Sequence, residues 1–141
     1  MALKHSELRQ AVIESANFLV RIGAISMSHH GNFSVRVPGT DTILLTASSS
    51  FDNLKPENLA LLDLDGKLVE GEINPTNAEI VHMHAIVYKE RPDTGAVVHT
   101  HSTYATSFAL ASRAIGCSYE ALVRNEMAEG VPLANEYDLP L

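Results

Sequence analysis

Apolar residues recur at helical spacing at Leu8, Ala11, Val12, Ala16, Leu19 and Ile22, which predicts a first helix of about five turns. Gly23 follows, where a left-handed cap would end that helix. Ser26-Met27-Ser28-His29-His30-Gly31 is short and polar and reads as a loop. The period then changes to two: Asn32-Phe33-Ser34-Val35-Arg36-Val37 alternates as a half-buried strand does. Pro38-Gly39-Thr40-Asp41 is a turn, and Thr42 to Thr46 is a second strand that pairs back as a hairpin.

Ala47-Ser48-Ser49-Ser50 leaves that strand as a run of small and hydroxyl side chains. Lys55-Pro56-Glu57-Asn58 predicts a short helical turn with proline near its start. Leu59 to Leu64 and Lys67 to Val69 flank Asp65-Gly66, the strongest short hairpin signal in the chain. Gly71 to Asn77 reads as a loop and Glu79 to Glu90 as a second helix, stopped by Arg91-Pro92-Asp93. On that helix Ile80, Met83, His84, Val87 and Tyr88 form the expected apolar side. Ala96 to His101 is a strand, and a third helix runs to about Arg113. Beyond Gly116 the pattern fades: Glu120 to Met127 suits strand or helix, and Pro132 and Pro140 predict an irregular tail.

Composition narrows the partners. At 141 residues the chain suits one domain with a real core, and it shows no internal repeat, low-complexity tract or linker. Ten basic residues against seventeen acidic give a formal charge of −7 without a Lys/Arg cluster. Nucleic acid and anionic membrane are therefore poor partners. No apolar run approaches the roughly 20 residues of a membrane span, and the N-terminus lacks a signal-type apolar core. Cys117 is the only cysteine, so no intramolecular disulfide is available, which fits a reducing cytoplasm.

The candidate chemistry gathers around Ala96-Val97-Val98-His99-Thr100-His101-Ser102. Residues i and i+2 of a strand share a face, so His99 and His101 would project side by side as a chelate for zinc or a similar ion. His29 and His30 lie on the early loop and His82 and His84 on the preceding helix; no histidine follows His101. Pro75-Thr76-Asn77-Ala78-Glu79 opens a helix and reads in two ways. It is a capping box, with Thr76 capping and Glu79 reaching back, or it presents Glu79 as a general base. Gly31-Asn32-Phe33-Ser34 and Thr46-Ala47-Ser48-Ser49 likewise read as turns or as an anion cradle of backbone N–H groups and hydroxyls.

The order of these segments carries a resemblance. Gly31-Asn32-Phe33-Ser34-Val35-Arg36, Thr46-Ala47-Ser48, Asp65-Gly66-Lys67 with Glu70-Gly71, Glu79, Met83-His84 with Tyr88, and Arg91 through His101 resemble the class II aldolase/adducin family. The likeness covers roughly residues 8 to 135 and is most specific from Arg91 to Ala109. It implies a three-layer α/β/α fold around a mostly antiparallel sheet, here as a single domain over 1–141 that is shortened at its C-terminus. It implies a metal-dependent aldolase-type lyase, cleaving a carbon–carbon bond of a sugar, sugar phosphate or hydroxy or keto acid through an enediolate on the metal. Zn2+ or another divalent ion would take His99 and His101, Glu79 would be the acid/base, and Asn32, Ser48, Ser49, Thr76 and Asn77 would bind substrate. It also implies a homo-oligomer, a tetramer in relatives.

Relatives include epimerases, dehydratases and decarboxylases, and adducin uses this fold without catalysis, so the fold does not fix the reaction. Three departures stand out. Thr76-Asn77-Ala78 puts one more residue between Pro75 and Glu79 than the phosphate-binding aldolases have, and Ser49 stands where a glycine is usual. The interval from Glu79 to His99 is one residue longer than in fuculose-type enzymes. The family's third zinc histidine lies downstream, and here only Glu126, Glu129, Glu136, Asp138 or a partner chain could stand in for it.

Overall fold

A computed structural model describes residues 3–125 and 127–133. They divide into two compact units, Met1–His101 and Ser102–Leu141.

The first unit holds the sheet. Strands β1 (Gly31–Arg36), β2 (Thr42–Thr46), β3 (Leu59–Asp63), β4 (Leu68–Glu70) and β5 (Ala96–Thr100) lie in the order β4-β3-β2-β1-β5, every pair antiparallel. Helices α1 (Ser6–Arg21) and α2 (Ala78–Glu90) cover opposite faces, giving the three-layer fold. The alternation of β2 and β3 assigns their side chains. Leu44, Leu59 and Leu61 join Val12, Ile13 and Ala16 of α1 in one core, with Phe33, Val37 and Phe51. Ile43, Leu45, Ala60 and Leu62 join Val81 and Tyr88 of α2 in the other. The runs 43–45 and 59–62 within these strands are wholly apolar because both of their faces are covered.

The predicted elements are present with shifted ends. β1 begins one residue earlier than the alternation suggested, at Gly31, and α1 ends at Arg21, with Gly23 in a left-handed conformation at φ 70°. Asp65-Gly66 makes its hairpin, and the Asp63 carboxylate accepts the N–H groups of Asp65 and Lys67 at 3.0 and 2.8 Å. The predicted apolar face of α2 is corrected. The buried residues are Val81, His84, Ala85 and Tyr88, whereas Met83 and Ile86 are exposed, since 81, 84, 85 and 88 form the i, i+3, i+4, i+7 row that faces the sheet. The capping box is also corrected: Asn77 is the N-cap, without a side-chain cap bond.

One buried cation ties this unit together. Arg9 on α1 is wholly buried and donates to the carbonyls of Lys4, Pro56 and Leu59 and to the Glu70 carboxylate at 2.8, 2.8, 2.5 and 2.7 Å. Its five donors suit such a cluster of acceptors.

In the second unit α3 (Thr103–Leu110) is shorter than the helix predicted to Arg113, and α4 (Glu120–Arg124) settles the ambiguous stretch as one helical turn. Ile115 and Val131 exchange backbone hydrogen bonds of 3.0 and 2.9 Å. No helix among the described residues is long and apolar enough to cross a membrane.

Candidate active site

The β1–β5 pairing sets Asn32 opposite His99 and Gly31 opposite Thr100. Side chains alternate along strands, so Asn32, Ser34, Val97 and His99 lie on the face covered by α2, where Val97 packs against that core. His101, one residue beyond β5, is in register with them. The rings of His99 and His101 are 5.0 Å apart between centroids and tilted by 49°, so the structure brings the two predicted ligands together.

Asn32 decides how His99 is presented. Its side chain is 2% exposed, and its Nδ2 donates to the Ser48 carbonyl at 3.4 Å. Its Oδ1 therefore faces His99 and accepts from Nδ1–H at 3.0 Å. That bond selects the tautomer whose Nε2 carries the free lone pair, the usual support of a metal-ligating imidazole. Burial, followed by repulsion from His101, holds the His99 pKa below its ordinary value. The neutral ring is the form that binds a metal. On these grounds His99 and His101 fit two positions around a borderline-soft divalent ion such as zinc.

Backbone contacts assemble the remaining segments. A Cβ on Gly31 would lie 2.5 Å from the His99 carbonyl oxygen and 3.2 Å from the Phe51 ring, so only glycine permits this approach. Gly31 N–H donates to the Ser49 carbonyl at 3.1 Å, and Phe51 N–H to the His29 carbonyl at 3.0 Å. Asn77 Nδ2 donates to the Ala47 carbonyl at 2.9 Å, joining the start of α2 to the hydroxyl loop. Ser48 Oγ accepts from Ser50 N–H at 3.1 Å. Ser48 also lines a cleft of about 500 Å³ with Glu57, Asn58, Glu72, Ile73, Asn74 and Pro75.

Glu79 is exposed in the first turn of α2, and its carboxylate makes no hydrogen bond or ion pair with the described residues. Glu129 is exposed in the second unit, and the side chain of Thr76, with Glu126, Glu136 and Asp138, lies outside the described residues. Among the described residues no three metal-ligating side chains converge as they stand.

A buried polar chain beside His99 escaped the sequence reading. Ser34 Oγ lies 2.7 Å from His84 Nδ1 and 2.8 Å from the Tyr88 hydroxyl, and His84 Nε2 is buried with no partner among the described residues. Burial, with a smaller contribution from the charge of His99, pushes the His84 pKa down to about 4. Burial also raises that of Tyr88. The signal was present in Ser34 and in His84-x-x-x-Tyr88, one helical turn apart, but became a network only when β1 was placed under α2.

Comparison with known proteins follows the same segments. The model of the class II aldolase and adducin N-terminal domain matches residues 10–140. The chain belongs to the class II aldolase and adducin family. It is 33% identical over 110 residues to the L-ribulose-5-phosphate 4-epimerase UlaF of Salmonella paratyphi B, covering 77% of this chain and 47% of that protein. To the probable L-ribulose-5-phosphate 4-epimerase UlaF of Mycoplasma pneumoniae it is 32% identical over 114 residues, covering 79% and 46%. A solved L-fuculose 1-phosphate aldolase superposes with a TM-score of 0.70 at 30% identity, over 84% of this chain and 54% of that one. This class II aldolase-family chain thus spans about half the length of the relatives it matches.

Proposed function

We propose that the chain carries the metal-binding part of an aldolase-type active site acting on a small polyhydroxylated substrate. The observation that carries this reading is the Asn32–His99 hydrogen bond of 3.0 Å, with His101 beside it. It fixes an imidazole lone pair outward, an arrangement that packing alone does not require. A divalent cation held there supplies Lewis-acid stabilisation of negative charge developing on a substrate carbonyl and its neighbouring hydroxyl. Glu79 moves the proton at the reacting carbon. Its free carboxylate in the first turn of α2, next to an N-cap bonded to the hydroxyl loop, supports that role. Asn32 orients His99, and Ser48, Ser49, Thr76 and Asn77 hold substrate oxygens.

The cleft beside Ser48 supports hydroxyl rather than phosphate recognition. Among the described residues its lining has two carboxylates, Glu57 and Glu72, and no basic side chain, so a dianion entering it would be repelled. The likeness to proteins named as L-ribulose-5-phosphate 4-epimerases makes epimerisation the second reading.

Metal analysis of the purified protein tests the site: near-stoichiometric zinc, lost on His99→Ala, is expected. Absence of zinc at neutral pH would favour a non-catalytic, adducin-like assembly role. Turnover of L-fuculose 1-phosphate, L-ribulose 5-phosphate and their unphosphorylated sugars then separates the reactions. Glu79→Gln should keep the metal and lose turnover.

A further inference from the structure

The residue before β1 extends the site. Partners in the β1–β5 pair sum to a constant register, Gly31 with Thr100 and Asn32 with His99, so the next position sets His30 opposite His101. The side chain confirms the placement: the His30 and His101 rings lie 6.2 Å apart between centroids, tilted by 39°. His30 is held on its other side by an isolated bridge to Ser50. By strand parity His30 shares the sheet face of Asn32, His99 and His101.

We propose that His30 is a third metal ligand, so that this chain builds a three-histidine site from the start of β1 and the end of β5. The proposal rests on the reading that His99 and His101 bind a divalent metal. Three points support it. His30 Nδ1 lies 3.1 Å from the Ser28 carbonyl oxygen, and a carbonyl only accepts, so Nδ1 carries the proton and Nε2 is left to coordinate. This is the same division of labour that Asn32 imposes on His99, with one ring nitrogen hydrogen-bonded and the other free. Second, two imidazoles sharing a tetrahedral ion at Zn–N of about 2.0–2.1 Å have centroids roughly 5 Å apart. The His99–His101 pair already meets that spacing, and the His30–His101 pair is wider by about an ångström. His30 is exposed, so a small side-chain rotation closes the gap without disturbing the core. Third, three nitrogen ligands leave a fourth position for substrate, as catalytic zinc sites do.

His29 is the internal control. It is adjacent in sequence, but its Nδ1 is engaged by the Asp52 carboxylate at 2.6 Å and its backbone is left-handed at φ 52°.

The test titrates the purified chain with Zn2+ against a chromogenic chelator, and with Co2+ while following the visible absorption that reports coordination geometry. His30→Ala should weaken zinc binding by more than the roughly 10–100-fold typical of losing an outer partner of a ligand. It should also alter the Co2+ spectrum, whereas His29→Ala should change neither. Circular dichroism should show both variants folded, since both rings lie at the surface. Wild-type affinity and spectrum in His30→Ala, with binding lost in His99→Ala, would overturn the third ligand and leave the two-histidine site standing. No binding by the wild-type chain, or binding unchanged in His99→Ala, would overturn the underlying site together with the proposal.

Discussion

Asn32 and His99 face each other across the β1–β5 pair, and the buried amide of one accepts the ring N–H of the other at 3.0 Å. The amide is itself oriented by the Ser48 carbonyl, so the hydroxyl loop sets the tautomer of a histidine on another strand. Asn32→Ala removes that orientation while leaving both imidazoles in place. Zinc affinity is expected to fall about 10–100-fold, read by chelator competition on protein whose circular dichroism is unchanged. Undiminished affinity would show that the bond has no part in presenting the ring.

Gly31 is the second position where a small change should have a large effect. In Gly31→Ala the new methyl would meet the His99 carbonyl oxygen at 2.5 Å, and that oxygen is backbone and cannot step aside. The two strands must separate or the variant must strain, at a cost of about 1–3 kcal/mol. Urea denaturation measures the loss, and an unchanged midpoint would contradict the close approach.

The His84 network makes stability depend on pH. The unfolded histidine titrates near 6.5, the folded one at about 4. Between those values the unfolded chain binds a proton that the folded chain does not, so stability rises with pH across that window and is level on either side of it. The span is on the order of 3 kcal/mol. Denaturation midpoints from pH 3.5 to 7.5 should show the rise in the wild-type chain and a much flatter profile in His84→Leu. Equal slopes in both would assign the dependence to other groups.

Arg9 offers a test of the scaffold away from the site. Arg9→Ala removes the guanidinium that now serves the Glu70 carboxylate and three carbonyls, and a loss of about 3–5 kcal/mol is expected. Arg9→Lys should recover only part of it, because an ammonium cannot span four acceptors set around a planar fork. Thermal unfolding of the two variants gives the comparison.

These contacts show what was legible in the chain and what was not. The alternation of Asn32 to Val37 and the hairpin at Asp65-Gly66 gave strands and a turn because both depend on local rules. The spacing of His99 and His101 gave a shared face for the same reason. The face of α2 was misjudged because hydropathy placed Met83 and Val87 inward, whereas the sheet beneath accepts Val81 and Ala85. Two residues of the resemblance motifs serve the scaffold. Glu70 answers Arg9, and Arg36 donates to the Tyr88 and Thr94 carbonyls at 2.8 and 3.2 Å and stacks on the Tyr88 ring. His30 could not be read at all, because only the pairing of chain segments about 70 residues apart brings it opposite His101.

That long-range pairing has a kinetic side. The strands β1 to β4 form a meander in which each finds its partner nearby in sequence, but β5 must return across the α2 crossover to pair with β1 at one edge. Closing so large a loop comes late on entropic grounds, and a strand that among the described residues is paired on one side only, with Val98 exposed, opens at lower free energy than the doubly covered β2 and β3. Amides of Val97 to His99 should therefore exchange with deuterium well before those of Leu44 and Leu61, and saturating zinc should slow the former selectively if the histidines hold it. The part of the sheet that bears the proposed metal ligands is then the last to be built, and its occupancy by a metal would report on the completion of folding.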